Sequence, residues 1–148
     1  MRRGLSLLEV LVVLALLGIL AALAVPAYGR WRAQAELNQA ARSLTWAFQQ
    51  ARAEAKRTAT PRCVTVFPAA DGQAAGWSMD QTCPSQGPPQ HPLRGVKLTL
   101  TSPQSASFSP PYGTVDFEYL DFPLQHASRP DLTRTVRVLG VTGKVVVW

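Results

Sequence analysis

Gly4-Leu5-Ser6-Leu7-Leu8-Glu9 opens the one long apolar run of this chain, and Val10 to Tyr28 behind it carry no charge. Arg2 and Arg3 stand directly before it. A run of about 20 apolar residues is long enough to cross a bilayer as a helix. The basic flank assigns its N-terminus to the cytoplasmic side, so everything after it is translocated. Glu9 is the anomaly, since an ionisable side chain at hydrocarbon depth costs about 2.5–3.5 kcal/mol on insertion scales. A partner must offset that cost, and the identity of the partner is the first clue to function.

Three readings compete for the segment. A cleavable secretory signal would use Ala22-Leu23-Ala24 as its cleavage site. Glu9 then falls inside the apolar region of the signal, and a helical pattern resumes after Pro26, which a discarded peptide does not need. A plain signal anchor leaves Glu9 unexplained. The third reading accounts for each feature. Gly4-Leu5-Ser6-Leu7-Leu8-Glu9, with basic residues before it and an apolar stretch after it, resembles the class III signal of type IV pilins and type II secretion pseudopilins.

That resemblance implies cleavage after Gly4 by a prepilin peptidase on the cytoplasmic side, followed by N-methylation of Leu5. The family usually has Phe at this position, so Leu5 is a mild departure. It also implies a partner for Glu9, the positively charged N-terminal amine of a neighbouring subunit. Opposite charges in apolar surroundings are weakly screened, so such a pair acts over short range and fixes axial register. Related pilins carry a proline where this chain has Pro26, at a place where helices loosen in filaments. The expected organisation is a leader over 1–4, a membrane and filament-core helix over 5–28, its amphipathic continuation over 29–60, and a β domain over 61–148.

The rest of the sequence fits one small domain. The chain has 148 residues, 47% hydrophobic and 16% charged, which describes a folding sequence rather than a disordered one. The formal net charge of +6 includes Arg2 and Arg3, and its simplest reading is solubility. Cys63 and Cys83 both follow the membrane segment, and an even count in a translocated domain suggests a disulfide, with two unpaired buried thiols as the alternative.

From Trp31 to Thr60 there is neither Gly nor Pro, and Leu37, Ala40, Ala41, Leu44, Phe48, Ala51 and Ala55 recur at helical spacing. That stripe should bury against a sheet, with Gln39, Arg42 and Trp46 on the opposite side. Gly18 and Pro26 should weaken the helix locally. Pro61 ends it. Strands are expected at Arg62–Phe67, Gly76–Met79, Val96–Thr101, Thr114–Leu120, Arg134–Leu139 and Lys144–Trp148. The last two flank a Gly140-Val141-Thr142-Gly143 turn, with Val136, Val138, Val145 and Val147 facing the core. The fold class is therefore α+β, a long N-terminal hydrophobic helix packed on an antiparallel β domain.

Three further stretches narrow the resemblance to the GspH/FimT-like minor pseudopilins. Ala51-Arg52-Ala53-Glu54-Ala55 is similar to that branch's A-R-x-E-A helix end. Phe108-Ser109-Pro110-Pro111-Tyr112-Gly113 looks like its F-x-P-x-G segment, and Gly143-Lys144 resembles its terminal G-R hairpin. Some minor pilins of this branch bind DNA through basic residues around that hairpin. The implied candidates here are Arg129, Arg134, Arg137 and Lys144, which would contact phosphates in a salt-sensitive way. The sequence displays no aromatic interleaving for base stacking.

No catalytic arrangement is visible. His91 and His126 lie in Pro-bounded stretches and read as surface residues, and no C-x-x-C or phosphate-cradling loop occurs. Asp116, Glu118 and Asp121 fall along an expected strand, where a solvated edge is preferred over a cation site. The reading is a non-enzyme without a metal or other cofactor. It is a minor pilin or pseudopilin of the bacterial inner membrane, with its C-terminal domain periplasmic, later built into a pilus or pseudopilus. Its partners are other subunits, the prepilin peptidase and the membrane, with DNA binding for uptake as the alternative.

Overall fold

A computed structural model of the chain describes residues 7–70, 74–140 and 142–148, and only the backbone of residues 23–26. Gly4, Leu5 and Val141 lie outside the described residues. Helix α1 runs from Leu7 to Thr58 without interruption. The helical assignment continues through Gly18 and Pro26, so the expected local weakening does not break it. A proline removes one backbone donor, which a helix tied on both sides can lose while remaining a helix.

The chain divides into two compact units, Met1–Arg32 and Ala33–Trp148. The first holds the apolar part of α1. Among its described side chains, apolar residues are exposed all round the helix, with Leu7 at 78%, Leu14 at 58% and Ile19 at 60%. A helix satisfies its own backbone hydrogen bonds, so such a surface is compatible with lipid or with other apolar helices and incompatible with water.

The second unit holds the rest of α1 and two antiparallel four-stranded sheets. Its strands are β1 (Arg62–Phe67), β2 (Gly76–Asp80), β3 (His91–Pro92), β4 (Val96–Leu98), β5 (Gln104–Phe108), β6 (Tyr119–His126), β7 (Thr133–Leu139) and β8 (Lys144–Val147). The first sheet has the order β3-β2-β1-β5 and the second β4-β6-β7-β8. All seven residues of the expected helical stripe are buried, joined by Ala47. Most of the stripe is alanine, which lets the backbones of helix and sheets approach. Phe48 fills the centre, its ring 6.3 Å from that of Phe108 in the first sheet and 5.0 Å from that of Phe122 in the second. Trp46 is 55% exposed, as its position on the helix predicts, and its ring still lies 6.2 Å from buried Trp77.

Two expected strands and one expected core position need correction, and two strands went unread. Thr114–Leu120 is not a strand: Gly113 takes φ +64° and Thr114 bridges Ser109, which closes a tight turn. The chain then bends through Asp116–Glu118 and enters β6 only at Tyr119. The strand expected from Val96 to Thr101 stops at Leu98. Strands β3 and β5 went unread because Gln104-Ser105-Ala106-Ser107 is polar and His91-Pro92 is short. Val147 is 42% exposed, since β8 is an edge strand with nothing beyond it to cover that position.

Candidate functional site

Two regions carry the candidate residues, and they lie in different units. In the first, Glu9 sits in the opening turn of α1. Helix spacing places Val12, Val13 and Leu16 on its side of the helix, and all three are exposed. The carboxylate is thus set into an apolar wall, close to the helix end where backbone N–H groups favour negative charge.

In the second unit the four candidate cations are divided. Arg137 pairs across the sheet with Val146, and Leu139 pairs with Lys144. With the two-residue side-chain period of strands, Arg137 and Lys144 share the outer face of the second sheet. Arg134 is opposite Leu124 and in phase with Val136, both buried, so it belongs to the helix-facing side and emerges only at the strand end. It lines a small cleft with Gln34, Leu37 and Asn38 of α1. Arg129 lies in the connection between β6 and β7. Its carbonyl accepts the Leu132 N–H at 3.0 Å.

Arg137 is not an uncommitted cation. Its guanidinium donates two hydrogen bonds to Asp121, at 2.5 and 2.6 Å. Those bonds hold the Asp121 carboxyl below the ordinary carboxylate range, against an opposing effect of burial, and raise Arg137 further above its own. The guanidinium carbon also lies 4.6 Å from the Tyr119 ring centroid and 5.2 Å from that of Trp148. Aromatic interleaving is therefore present on this face, contrary to the sequence reading. Tyr119 and Trp148 are far apart in sequence, and only the strand register brings them to either side of Arg137.

The other expectations resolve individually. Cys63 and Cys83 form a disulfide with Cα atoms 5.5 Å apart. It draws the segment after β2 over the outer face of the first sheet, where the Ser85 N–H donates to the buried Thr65 hydroxyl at 2.9 Å. His126 is buried, not a surface residue: its Nε2 lies 3.3 Å from Glu36 Oε2, and its Nδ1 accepts the Ser128 N–H at 3.2 Å. His91 is exposed and stacks on Trp77 at 4.1 Å. The three acidic residues do not share a strand face, because Asp121 is held by Arg137 while Asp116 and Glu118 lie in the preceding bend. No group of three potential metal ligands occurs among the described residues.

The three stretches behind the narrower resemblance meet at one side chain. Arg52, near the end of α1, runs beside both turn glycines, Gly113 and Gly143. A Cβ on Gly143 would lie 2.7 Å from the Gly113 carbonyl oxygen and 3.2 Å from Arg52 Nε. Sequence reading could not place these segments together, because they are separated by most of the β domain.

Comparison with known proteins agrees with this description. Residues 1–25 match the prokaryotic N-terminal methylation motif. No curated protein matches the chain by sequence. Among solved structures, the chain is similar to the type IV minor pilin FimU of Pseudomonas aeruginosa, with a TM-score of 0.53 and 19% identity over 76% of this chain and 92% of that one. Identity at that level speaks for the fold. The resemblance to the type IV pilin superfamily thus holds in its N-terminal motif and in its α+β fold.

Proposed function

We propose that the protein is a minor pilin or pseudopilin, a structural subunit of a type IV pilus-like or type II secretion filament. One observation carries the reading: a folded β domain shares a single continuous helix with an apolar segment that is exposed all round and carries Glu9 in its first turn. A bundle of like helices would bury the apolar surface and let a cation from each neighbour meet Glu9. In this account the precursor sits in the inner membrane with its N-terminus cytoplasmic. Prepilin peptidase cuts after Gly4, Leu5 is N-methylated, and the new amine of one subunit meets Glu9 of the next. Pro26 lies where the helix adjusts during packing. The protein is a substrate of enzymes rather than an enzyme. Co-expression with a prepilin peptidase tests the processing step: mass spectrometry should find a product beginning at N-methylated Leu5, and Gly4→Glu should remain uncut. An uncut wild-type chain would contradict the proposal.

A second reading, DNA binding during uptake, draws on Lys144 together with the aromatic residues on its sheet face. Arg137 contributes little net charge while Asp121 holds it, and Arg134 faces the other way. The reading therefore predicts weak, salt-sensitive binding that falls with Lys144→Ala. Full-length protein in detergent that gives no salt-dependent DNA binding excludes it.

A further inference from the structure

The apolar part of α1 ends on a cluster of side chains that the assembly reading leaves unused. No charge occurs between Glu9 and Arg30, and Tyr28, Arg30, Trp31 and Arg32 then follow almost without a gap. All four are exposed, Tyr28 at 63% and Trp31 at 64%. The two rings lie 6.1 Å apart, one helical turn from each other, and Arg32 falls on their face of the helix. Arg30 stands on the opposite side, so side chains with polar tips encircle the helix at this level.

The two arginines oppose the orientation that Arg2 and Arg3 impose, because they place positive charge directly beyond the span on the translocated side. Their charge therefore needs a stabilising partner of its own. Tyrosine and tryptophan settle at the headgroup level of a bilayer, where the ring is half dry and its O–H or N–H is wet. The arginine fork matches phosphate oxygens through parallel hydrogen bonds. A phospholipid headgroup layer supplies both environments at one depth, whereas a neighbouring apolar helix supplies no anion.

We propose that Tyr28, Arg30, Trp31 and Arg32 form a collar that binds anionic phospholipid headgroups at the outer edge of the inner membrane. The inference rests on the membrane-spanning reading of α1. Helix geometry then fixes the depth of Glu9. From Glu9 to Arg30 the helix rises about 32 Å at about 1.5 Å per residue, and the hydrocarbon core is about 30 Å thick. A tilt of about 20° brings the two lengths together. With the collar seated, Glu9 stands at the cytoplasmic headgroup level and stays hydrated in the unassembled subunit. The carboxylate becomes costly only as the subunit rises from that seat into a filament, where a neighbour's cation meets it. The collar thus holds single subunits at one depth and delays burial of Glu9 until assembly.

The test uses the full-length chain, labelled with 5-fluorotryptophan, in nanodiscs of phosphatidylcholine and phosphatidylglycerol. Amide exchange over residues 10–22 should be slow, and fast exchange there overturns the membrane reading and the collar with it. Where that run is protected, a nitroxide on the lipid headgroup should broaden the Trp31 fluorine resonance, assigned with Trp31→Phe. A nitroxide near the end of the acyl chain should leave it sharp. Leu8→Trp should add a resonance with the same headgroup response, and Ile19→Trp one that only the deep nitroxide broadens. Electron spin resonance of labelled lipids should show a preference for phosphatidylglycerol over phosphatidylcholine. Arg30→Gln with Arg32→Gln should lower that preference about fivefold or more, as for basic residues at a membrane surface. With the helix protected, a deep-nitroxide response at Trp31 or at Leu8→Trp overturns the proposal. So does a lipid preference that the arginine substitutions leave unchanged.

Discussion

Arg52 occupies the space that a side chain at Gly113 would need: a Cβ there would come 2.6 Å from Arg52 Cγ and 3.2 Å from the Arg52 carbonyl oxygen. Gly113 also holds φ +64°, in the left-handed region. Gly113→Ala should therefore destabilise the β domain by about 1–3 kcal/mol, combining backbone strain with displacement of Arg52. Arg52→Ala in the same chain should recover part of that loss, because it removes the flexible half of the clash. Urea denaturation of the two single variants and the double variant gives the coupling. Fully additive losses would show that Arg52 and Gly113 do not share this space.

Reducing the disulfide releases the segment that covers Thr65. The double variant Cys63→Ser, Cys83→Ser should lose about 3 kcal/mol, the usual effect of opening a loop of this length. Hydrogen exchange should quicken at the Ser85 amide, whose acceptor is Thr65, while amides of β6 and β7 keep their protection. Uniform loss of protection across both sheets would mean that the bridge supports the whole fold and not the loop.

Phe48 contacts an aromatic ring from each sheet and is fully buried. Phe48→Ala should cost about 3–5 kcal/mol, whereas Arg42→Ala on the exposed side should stay within about 0.5 kcal/mol. Comparable losses at the two positions would contradict the assignment of helix faces.

The Asp121–Arg137 pair sets a pH dependence of definite sign. Hydrogen bonds from Arg137 lower the Asp121 pKa in the folded chain. Its stabilising contribution is therefore complete above the ordinary carboxylate value of about 3.9 and is lost as pH falls through the lower folded-state value. The effect is small, because solvent screens the pair. Melting curves of wild type and Asp121→Asn should differ by a constant amount from pH 7 to 5 and converge in acid. A difference that grows in acid would reverse the sign and refute the assignment.

How legible the fold was depends on which forces act locally. The helical stripe from Leu37 to Ala55 was readable because burial of one helix face leaves a period in the sequence, and every member of it is buried. Strand β1 was readable for the same reason, at a period of two. Strand β5 was not, because Gln104-Ser105-Ala106-Ser107 gains its place from pairing with β1 and not from its own apolar pattern. Residues 114–118 misled because Val115 and Phe117 alternate with polar neighbours, yet Gly113 turns the chain before a strand can form. His126 could not be read as buried, since Glu36, its partner, is 90 residues away. The aromatic residues around Arg137 needed strand register, which sequence does not supply.

Incorporation of the Glu9→Ala variant into filaments tests the central claim most directly. Wild type and variant would each be expressed with an epitope tag in a cell that assembles the filament, and followed in the membrane and in the sheared filament fraction. The account predicts that the variant reaches the membrane and is processed normally, while its share in filaments falls about tenfold or more, as expected on losing a charge partner in apolar surroundings. Incorporation at the wild-type level would contradict it.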